Sequence, residues 1–284
     1  MARISRQLQS VRPRGRPTAQ STGARPRPSG WFFRGFRAYA RRYVARHFHA
    51  LRVSRQGPVP ELPREPVVIV MNHPSWWDPM IGLVLTACMP PWRVHYAPID
   101  SAGLAQYRFL ERLGFFGVEI GTTRGSLAFL RRSMDILADP DSVLWITSQG
   151  TFVDPRERPV RLKEGIGHLS NRLERGLVVP LAVEYPFWND RCPEALVRFG
   201  PPIAIASSGP LSPRQWTARI EQSLEETQDR LAEEARTRDA SHFATLIGGT
   251  AGVGGVYDAW RRLSAGLRGK SFQADHQTSA HSNI

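Results

Sequence analysis

Cysteine is scarce in this sequence, and Cys88 and Cys192 are its only two examples. These two cysteines are unlike a paired disulfide framework or a cysteine metal cluster. We therefore predict a reducing, cytoplasmic compartment and no bound metal. Long apolar runs are also missing. The strongest candidates, Val67–Met71 and residues 81–89, fall short of the ~20 residues that cross a bilayer, so we predict no transmembrane helix.

Acidic side chains are absent from the first 60 residues, and the first to occur is Glu61. The same segment holds 14 of the 38 Lys and Arg, so residues 61–284 carry 24 basic and 25 acidic side chains. The formal charge of +13 therefore belongs to a basic arm on a nearly neutral body. Arg and Pro dominate residues 1–30, without the apolar segment of a secretory signal, and we predict a disordered arm there.

A basic amphipathic helix is predicted for residues 31–57. At ~100° per residue, one side collects the apolar residues Phe32, Phe33, Phe36, Tyr39, Ala40, Tyr43, Val44 and Leu51. The other side carries six arginines, which suits an anionic membrane surface because guanidinium groups bind phosphates while rings enter the headgroup region. We expect a peripheral protein on the cytoplasmic face of the membrane. The alternative is a helix packed on its own domain, and no nucleic acid partner is expected.

Short apolar runs alternate with helical patterns from residue 58 to residue 205. Strands are predicted at 67–71, 94–97, 117–120, 142–146, 177–183 and 195–199, and helices at 101–113, 125–138 and 163–175. This alternation predicts an α/β domain with a mixed, mostly parallel central sheet flanked by helices. Residues 206–284 are predicted to be a C-terminal extension. It comprises a long helix over 213–237, a flexible Gly-rich tail and a short basic helix at 258–269.

The residues best suited to chemistry follow the predicted strand Val67–Met71. His73 lies just past its end, where α/β sheets place their ligand clefts, and Asp78 follows five residues later across a turn. A carboxylate bonded to one ring nitrogen fixes the tautomer, so that the other nitrogen accepts a proton from an alcohol attacking an acyl carbonyl. We therefore predict that His73 is a general base oriented by Asp78, and that Ser75 positions the turn rather than acting as a nucleophile.

His73 and Asp78 resemble the first motif of the HxxxxD glycerolipid acyltransferases, a family typified by the lysophosphatidate acyltransferases. Three later segments are similar to the other motifs of that family and occur in the same order. They are a block that ends in Arg124 after a short strand, the block Gln149-Gly150-Thr151, and a strand around Pro180.

The resemblance implies an enzyme without a cofactor that transfers a fatty acyl group from acyl-CoA or acyl carrier protein to a hydroxyl of a lysophospholipid, glycerolipid or glycolipid. It also implies that Arg124, Gln149, Gly150 and Thr151 bind this acceptor and its phosphate. Gln149 stands where the family usually has glutamate, and Ser148 where it has proline. We hypothesise that the neutral amide favours a less charged or glycosylated acceptor.

Two further pairs of residues have alternative interpretations. Arg156 and Arg158 are predicted to bind a second anionic group or the phosphates of the donor, the alternative being a loop closed by an internal Arg–Glu pair. Trp76 and Trp77 are predicted to divide two roles, one packing in the core and the other lining an acyl groove. The pattern does not decide which tryptophan has which role.

Two other functions fit the same residues. A lipid hydrolase or transacylase of this fold would pass the acyl group to water or to a second lipid. A non-catalytic lipid-binding protein would leave His73 without a chemical role. Thiol release that depends on the acceptor distinguishes acyl transfer from both of these functions.

Overall fold

The computed structural model describes residue 26 and residues 28–249. Strands β1–β9 are Ala50–Ser54, Val67–Met71, Val94–Asp100, Phe115–Val118, Ser142–Ile146, Leu177–Glu184, Glu194–Phe199, Ile203–Ala204 and Phe243–Gly248. Helices α1–α6 are Gly30–His47, Asp78–Leu85, Ser101–Gln106, Thr123–Leu137, Gly165–Arg172 and Pro213–Thr237. The predictions for the arm over residues 1–25, for the tail beyond residue 249 and for the helix at 258–269 fall outside the described residues.

The predicted α/β fold with a mixed, mostly parallel sheet flanked by helices is confirmed. The strand order is β4-β3-β5-β2-β6-β7-β1-β9, and β8 pairs with β6. The five strands from β4 to β6 are parallel, whereas β7 runs antiparallel to β6. The carboxyl ends of β2 and β6 therefore meet at one edge of the sheet, with Met71 opposite Leu181. This edge positions the candidate site.

Helices cover both faces of the sheet, and β2 contributes to both because its side chains alternate between them. Val67, Ile69 and Met71 pack with residues of α1 and α2, whereas Val68 and Val70 pack with residues of α4, α5 and α6. All five residues of β2 are buried. Continuous burial of this kind explains why a strand of a parallel sheet is an unbroken Val/Ile run.

The predicted helix over residues 31–57 is wrong in its second half. Helix α1 ends at His47, and Ala50–Ser54 form β1, which lies between β7 and β9. Strand β1 tolerates its central arginine because Arg52 Nε lies 3.0 Å from the Glu194 carboxylate on β7. The alternative interpretation, a helix packed on its own domain, also holds in part. Ala40 and Val44 on the apolar side of α1 are fully buried in the core.

Residues 206–249 are not an extension of the domain. Helix α6 covers the predicted residues, but its buried Trp216, Ile220 and Leu224 belong to the same core as β2. The following strand β9, Phe243–Gly248, pairs antiparallel with β1 in the main sheet. The segments on either side of residues 58–205 therefore complete one sheet and one core.

Candidate active site

His73 and Asp78 are in direct contact at the carboxyl edge of β2, as predicted. His73 Nδ1 lies 2.6 Å from Asp78 Oδ2. Since a carboxylate oxygen accepts, this contact assigns the ring hydrogen to Nδ1 and leaves Nε2 as the acceptor nitrogen. The Asp78 side chain is fully buried, and that of His73 is 18% exposed. The arrangement is therefore a buried carboxylate that orients a solvent-accessible imidazole.

A tight turn between β2 and α2 directs the Asp78 carboxylate back toward His73. Asp78 is the first residue of α2, where a negative charge is favoured by the helix dipole. Its backbone N–H donates to Ser75 O at 3.2 Å, and the Ser75 N–H donates to Asp78 Oδ2 at 3.1 Å. The Ser75 hydroxyl accepts a bond from the Trp77 N–H at 3.3 Å. Ser75 therefore has the positioning role that the sequence predicts.

The backbone of His73 is held on both sides by neighbouring segments. Asn72 bonds the backbone of Val183 on β6 with both ends of its amide, at 2.8 and 3.1 Å. The His73 N–H donates to Gln149 Oε1 at 2.7 Å, and the His73 carbonyl accepts from the Val153 N–H at 3.0 Å. These bonds restrict the position from which the imidazole extends.

Gln149 supports His73 from the loop that follows β5. Its side chain is buried, and its oxygen is occupied by the His73 N–H, whereas the sequence predicts an acceptor-binding residue. The next residue, Gly150, has a φ of +74°, which a residue with a side chain rarely adopts, and Thr151 is exposed. A glutamate oxygen would accept the same bond from His73. The substitution of glutamine therefore changes the charge beside His73 while keeping this support.

Tyr185 is a member of the site that the sequence analysis missed. It follows β6 directly, and its hydroxyl donates to Asp78 Oδ1 at 2.6 Å. Burial and the neighbouring Asp78 hold the pKa of Tyr185 well above its usual value, so the phenol keeps its proton. Tyr185 lies 107 residues from Asp78, and no local pattern marks it. Its position just beyond a predicted strand was the only available signal.

Aromatic side chains lie in and beside the turn that carries His73, and they settle part of the question about the two tryptophans. Trp77 packs against the core residue Phe48, with ring centroids 4.9 Å apart, so Trp77 is the packing residue. Trp76 stacks on Trp77 at 4.4 Å but is 56% exposed. The Phe152 ring lies 4.5 Å from the imidazole of His73 and is 61% exposed. An exposed ring, Phe152, therefore lies beside the candidate base, and a second exposed ring, Trp76, belongs to the same turn as His73.

Arg124 follows β4, whose carboxyl end lies on the same edge of the sheet as that of β2 but at a distance from it. It is the second residue of α4 and is exposed, after the helix cap at Thr122. Strands β3 and β5 separate β4 from β2, so about 14 Å of sheet lies between the two strand ends. The predicted role of Arg124 in binding the acceptor stays a prediction.

Arg156 and Arg158 both have intramolecular partners, which resembles the alternative interpretation of a loop closed by an internal ion pair. Arg156 forms a two-pronged contact with Asp154, at 2.9 and 2.7 Å, and hydrogen bonds from the side chain and backbone of Arg156 lower the pKa of that carboxyl to about 2. Arg158 Nε lies 2.9 Å from Asp229 on α6, and its guanidinium also bonds the Pro155 carbonyl. The partners are aspartates rather than the predicted glutamate. The structure thus gives both arginines a role in closing the loop.

Glu184 is a second titratable residue that the sequence analysis missed. It is the last residue of β6, and alternation along the strand directs it to the opposite face from Tyr185. Its Oε1 atom is buried and has no hydrogen-bond partner among the described residues. Burial raises the pKa of Glu184 from 4.5 to about 7, against the opposing effect of Arg158 and Arg156.

The substitution Glu184→Gln should stabilise the fold at alkaline pH. The pKa of Glu184 is higher in the folded chain than in the unfolded chain, so its contribution to the free energy of unfolding is fully present below about pH 4.5. That contribution is lost as the pH rises through about 7. The glutamine amide mimics the protonated form of Glu184 at every pH. We therefore expect the stability of the variant relative to wild type to increase by on the order of 2 kcal/mol from pH 5 to pH 8. Urea unfolding at both pH values measures this gain. The matched control is Glu226→Gln, on the exposed side of α6. If Glu184→Gln differed from wild type by the same free energy of unfolding at both pH values, the raised pKa of Glu184 would be contradicted.

Comparisons with known proteins do not add to this geometry, since no protein-family model and no curated protein matches the chain. Among residues 26 and 28–249, no group of three or more His, Cys, Asp or Glu side chains is arranged to hold a metal ion. None of the helices in this part of the chain combines the length and the apolar character needed to span a membrane.

Proposed function

We propose that this protein is an O-acyltransferase that moves a fatty acyl group from an acyl thioester to a lipid hydroxyl at a membrane surface. The observation that carries this proposal is the hydrogen-bonded series Tyr185–Asp78–His73, which leaves His73 Nε2 as a proton acceptor at the edge of the sheet. The donor is acyl-CoA or acyl carrier protein. The resemblance of four short motifs to those of the HxxxxD acyltransferases supports the same chemistry.

The proposed reaction is a direct transfer. His73 Nε2 takes the proton of the acceptor hydroxyl while its oxygen attacks the thioester carbonyl, which forms a C–O bond and a tetrahedral intermediate. Asp78 stabilises the imidazolium that results. The C–S bond then breaks, and the leaving thiolate takes the proton from His73, which yields an ester and a free thiol. General-base assistance of this kind contributes ~10²–10⁴ in rate.

A continuous row of aromatic side chains supports contact with a membrane. We call it the aromatic ribbon, and neighbouring ring centroids in it lie 4.4–6.2 Å apart. Its members are Trp31, Phe32, Phe36, Tyr39, Tyr43, Trp77 and Trp76. The ribbon follows α1 and ends in the turn that carries His73 and Asp78. Trp31, Tyr39 and Trp76 are exposed, whereas the other four rings are half-buried. Exposed aromatic rings are typical of the membrane interface, so these three would bring lipid toward the site.

Exposed arginines on α1 supply the charge that an anionic membrane attracts. Arg34, Arg41, Arg42 and Arg46 are all exposed, and the chain has no acidic residue before Glu61. Each basic residue near an anionic surface contributes ~1 kcal/mol to binding. Rings and arginines on one helix therefore favour binding to anionic lipid over neutral lipid.

Reversing two of these charges should weaken membrane binding. We expect the double variant Arg41→Glu/Arg42→Glu to bind phosphatidylglycerol vesicles at least ~10-fold more weakly, since attraction becomes repulsion. Vesicle sedimentation measures the change, and wild-type binding should fall with salt because exposed charges are screened over ~8–10 Å. The matched control is Arg214→Glu/Arg230→Glu on α6, across the sheet from α1. Equal losses for both double variants would refute a binding surface on α1.

The proposed activity is tested with purified protein, labelled palmitoyl-CoA and a set of acceptors. Lysophosphatidate, lysophosphatidylglycerol and a glycosylated lipid cover the range of headgroup charge that Gln149 leaves open. Release of CoA that requires an acceptor, together with a labelled lipid product, supports acyl transfer. Release without an acceptor would indicate a hydrolase. Vesicle binding without release from acyl-CoA or from acyl carrier protein would indicate a lipid-binding protein.

A further inference from the structure

Asp78 is a buried carboxylate whose two oxygens are both engaged. Oδ2 accepts from His73 Nδ1 at 2.6 Å and from the Ser75 N–H at 3.1 Å. Oδ1 accepts from the Tyr185 hydroxyl at 2.6 Å. The Asp78 side chain has no exposed surface, so the Tyr185 hydroxyl takes the place that water would occupy at a more exposed carboxylate.

We propose that Tyr185 is a positioning residue of the acyl-transfer site, which acts by fixing the orientation of the Asp78 carboxylate. This role rests on the function proposed above. The terminal torsion of an aspartate has a broad energy minimum, so a bond to one oxygen alone leaves the carboxylate plane free to turn. A second donor on Oδ1 fixes the plane and keeps Oδ2 aligned with His73 Nδ1.

The surroundings of Tyr185 make it a rigid donor. The residue emerges from β6 beside β2, and its ring packs on Phe48 with centroids 5.6 Å apart. Because its pKa lies well above the usual value, the phenol donates to Asp78 throughout the physiological pH range. Among the titratable residues of the neighbouring elements, His47 packs on Trp77, and Glu184 at the end of β6 faces the other side of the sheet.

Loss of the hydroxyl has a consequence that a purely structural residue would not produce. Without the Tyr185 donor, the plane of the Asp78 carboxylate can turn, and Oδ2 is no longer held in line with His73 Nδ1. The imidazole then loses its fixed orientation and tautomer, so Nε2 is less often placed to accept a proton. This loss lowers kcat, whereas no contact with the substrate changes, so KM should stay the same.

The test is Tyr185→Phe, which removes one oxygen atom and keeps the ring. We expect kcat for acyl transfer to fall ~10-fold and KM for donor and acceptor to stay within twofold. Tyr96→Phe removes a buried hydroxyl from β3, on the opposite face of the sheet, and should leave both quantities unchanged. An unchanged kcat in Tyr185→Phe would overturn the inference.

A second measurement does not depend on acyl transfer. Nitrogen-15 NMR of the imidazole should report one tautomer of His73 in wild type, with hydrogen on Nδ1, and a mixture of tautomers in Tyr185→Phe. A disturbed tautomer in a chain without acyl-transfer activity would refute the proposed function and leave the positioning role intact. An undisturbed tautomer would refute the positioning role, whatever the activity of the chain.

Discussion

His73→Ala should reduce kcat for acyl transfer by ~10³-fold, within the ~10²–10⁴ that a general base contributes. The variant leaves the attacking hydroxyl without a proton acceptor at the point where Nε2 lies in wild type. Acceptor-dependent release of CoA measures the loss. The imidazole is only partly buried, so its removal costs the bond to Asp78 and a contact with the Phe152 ring but little of the apolar core.

Two observations separate lost chemistry from lost structure in this variant. His168→Ala, in a half-buried helical position on the opposite face of the sheet, should retain wild-type activity. Binding of His73→Ala to phosphatidylglycerol vesicles should match wild type, because the exposed arginines of α1 are unaffected. More than a tenth of the wild-type kcat remaining in a folded His73→Ala protein would exclude His73 as the base.

Asp78→Asn should be about as harmful as loss of His73, with an expected fall in kcat of ~10²–10⁴. Three donors converge on the carboxylate, from His73, Ser75 and Tyr185. An amide has only one oxygen, so at least one donor then faces an N–H group. When the amide turns its nitrogen to His73, the ring hydrogen moves to Nε2 and the base can no longer accept a proton.

The same variant should also lose about 1–3 kcal/mol of stability, since a buried donor is left without an acceptor. Steady-state kinetics and urea unfolding measure the two effects separately. The matched control is Asp229→Asn, which weakens a surface ion pair with Arg158 and leaves the catalytic edge untouched. Wild-type kcat in Asp78→Asn would mean that the contact between His73 and Asp78 serves structure alone.

Interactions between neighbours in the chain were the predictable part of this protein. Strand β2 is a Val/Ile run that is buried on both faces, and α6 begins at a capping box in which Ser212 and Gln215 satisfy each other's backbone groups. The contact between His73 and Asp78 spans only five residues, so one turn determines it. In each case the physical cause lies within the same short segment.

Interactions between distant segments were beyond prediction from local patterns. Strand β1 contains Arg52, whose burial depends on Glu194, 142 residues later. In the isolated segment, Leu51 and Arg52 extend the helical periodicity of α1, which explains the error at this boundary. Tyr185 presents the same difficulty, because only the pairing of β2 with β6 brings its hydroxyl to Asp78. In both cases the local sequence around the residue contains no pattern that indicates its distant partner, Glu194 for Arg52 and Asp78 for Tyr185.

The place of β1 between β7 and β9 affects the order in which the chain acquires its structure during synthesis. Residues 50–54 leave the ribosome well before Glu194–Phe199 and Phe243–Gly248, the two strands with which they pair. Until those partners emerge, Leu51 and Val53 expose apolar surface that is later buried, a condition that favours aggregation or the help of a chaperone. Contacts of such long range also slow folding. The nascent chain would therefore finish its sheet only after Phe243–Gly248 have been translated.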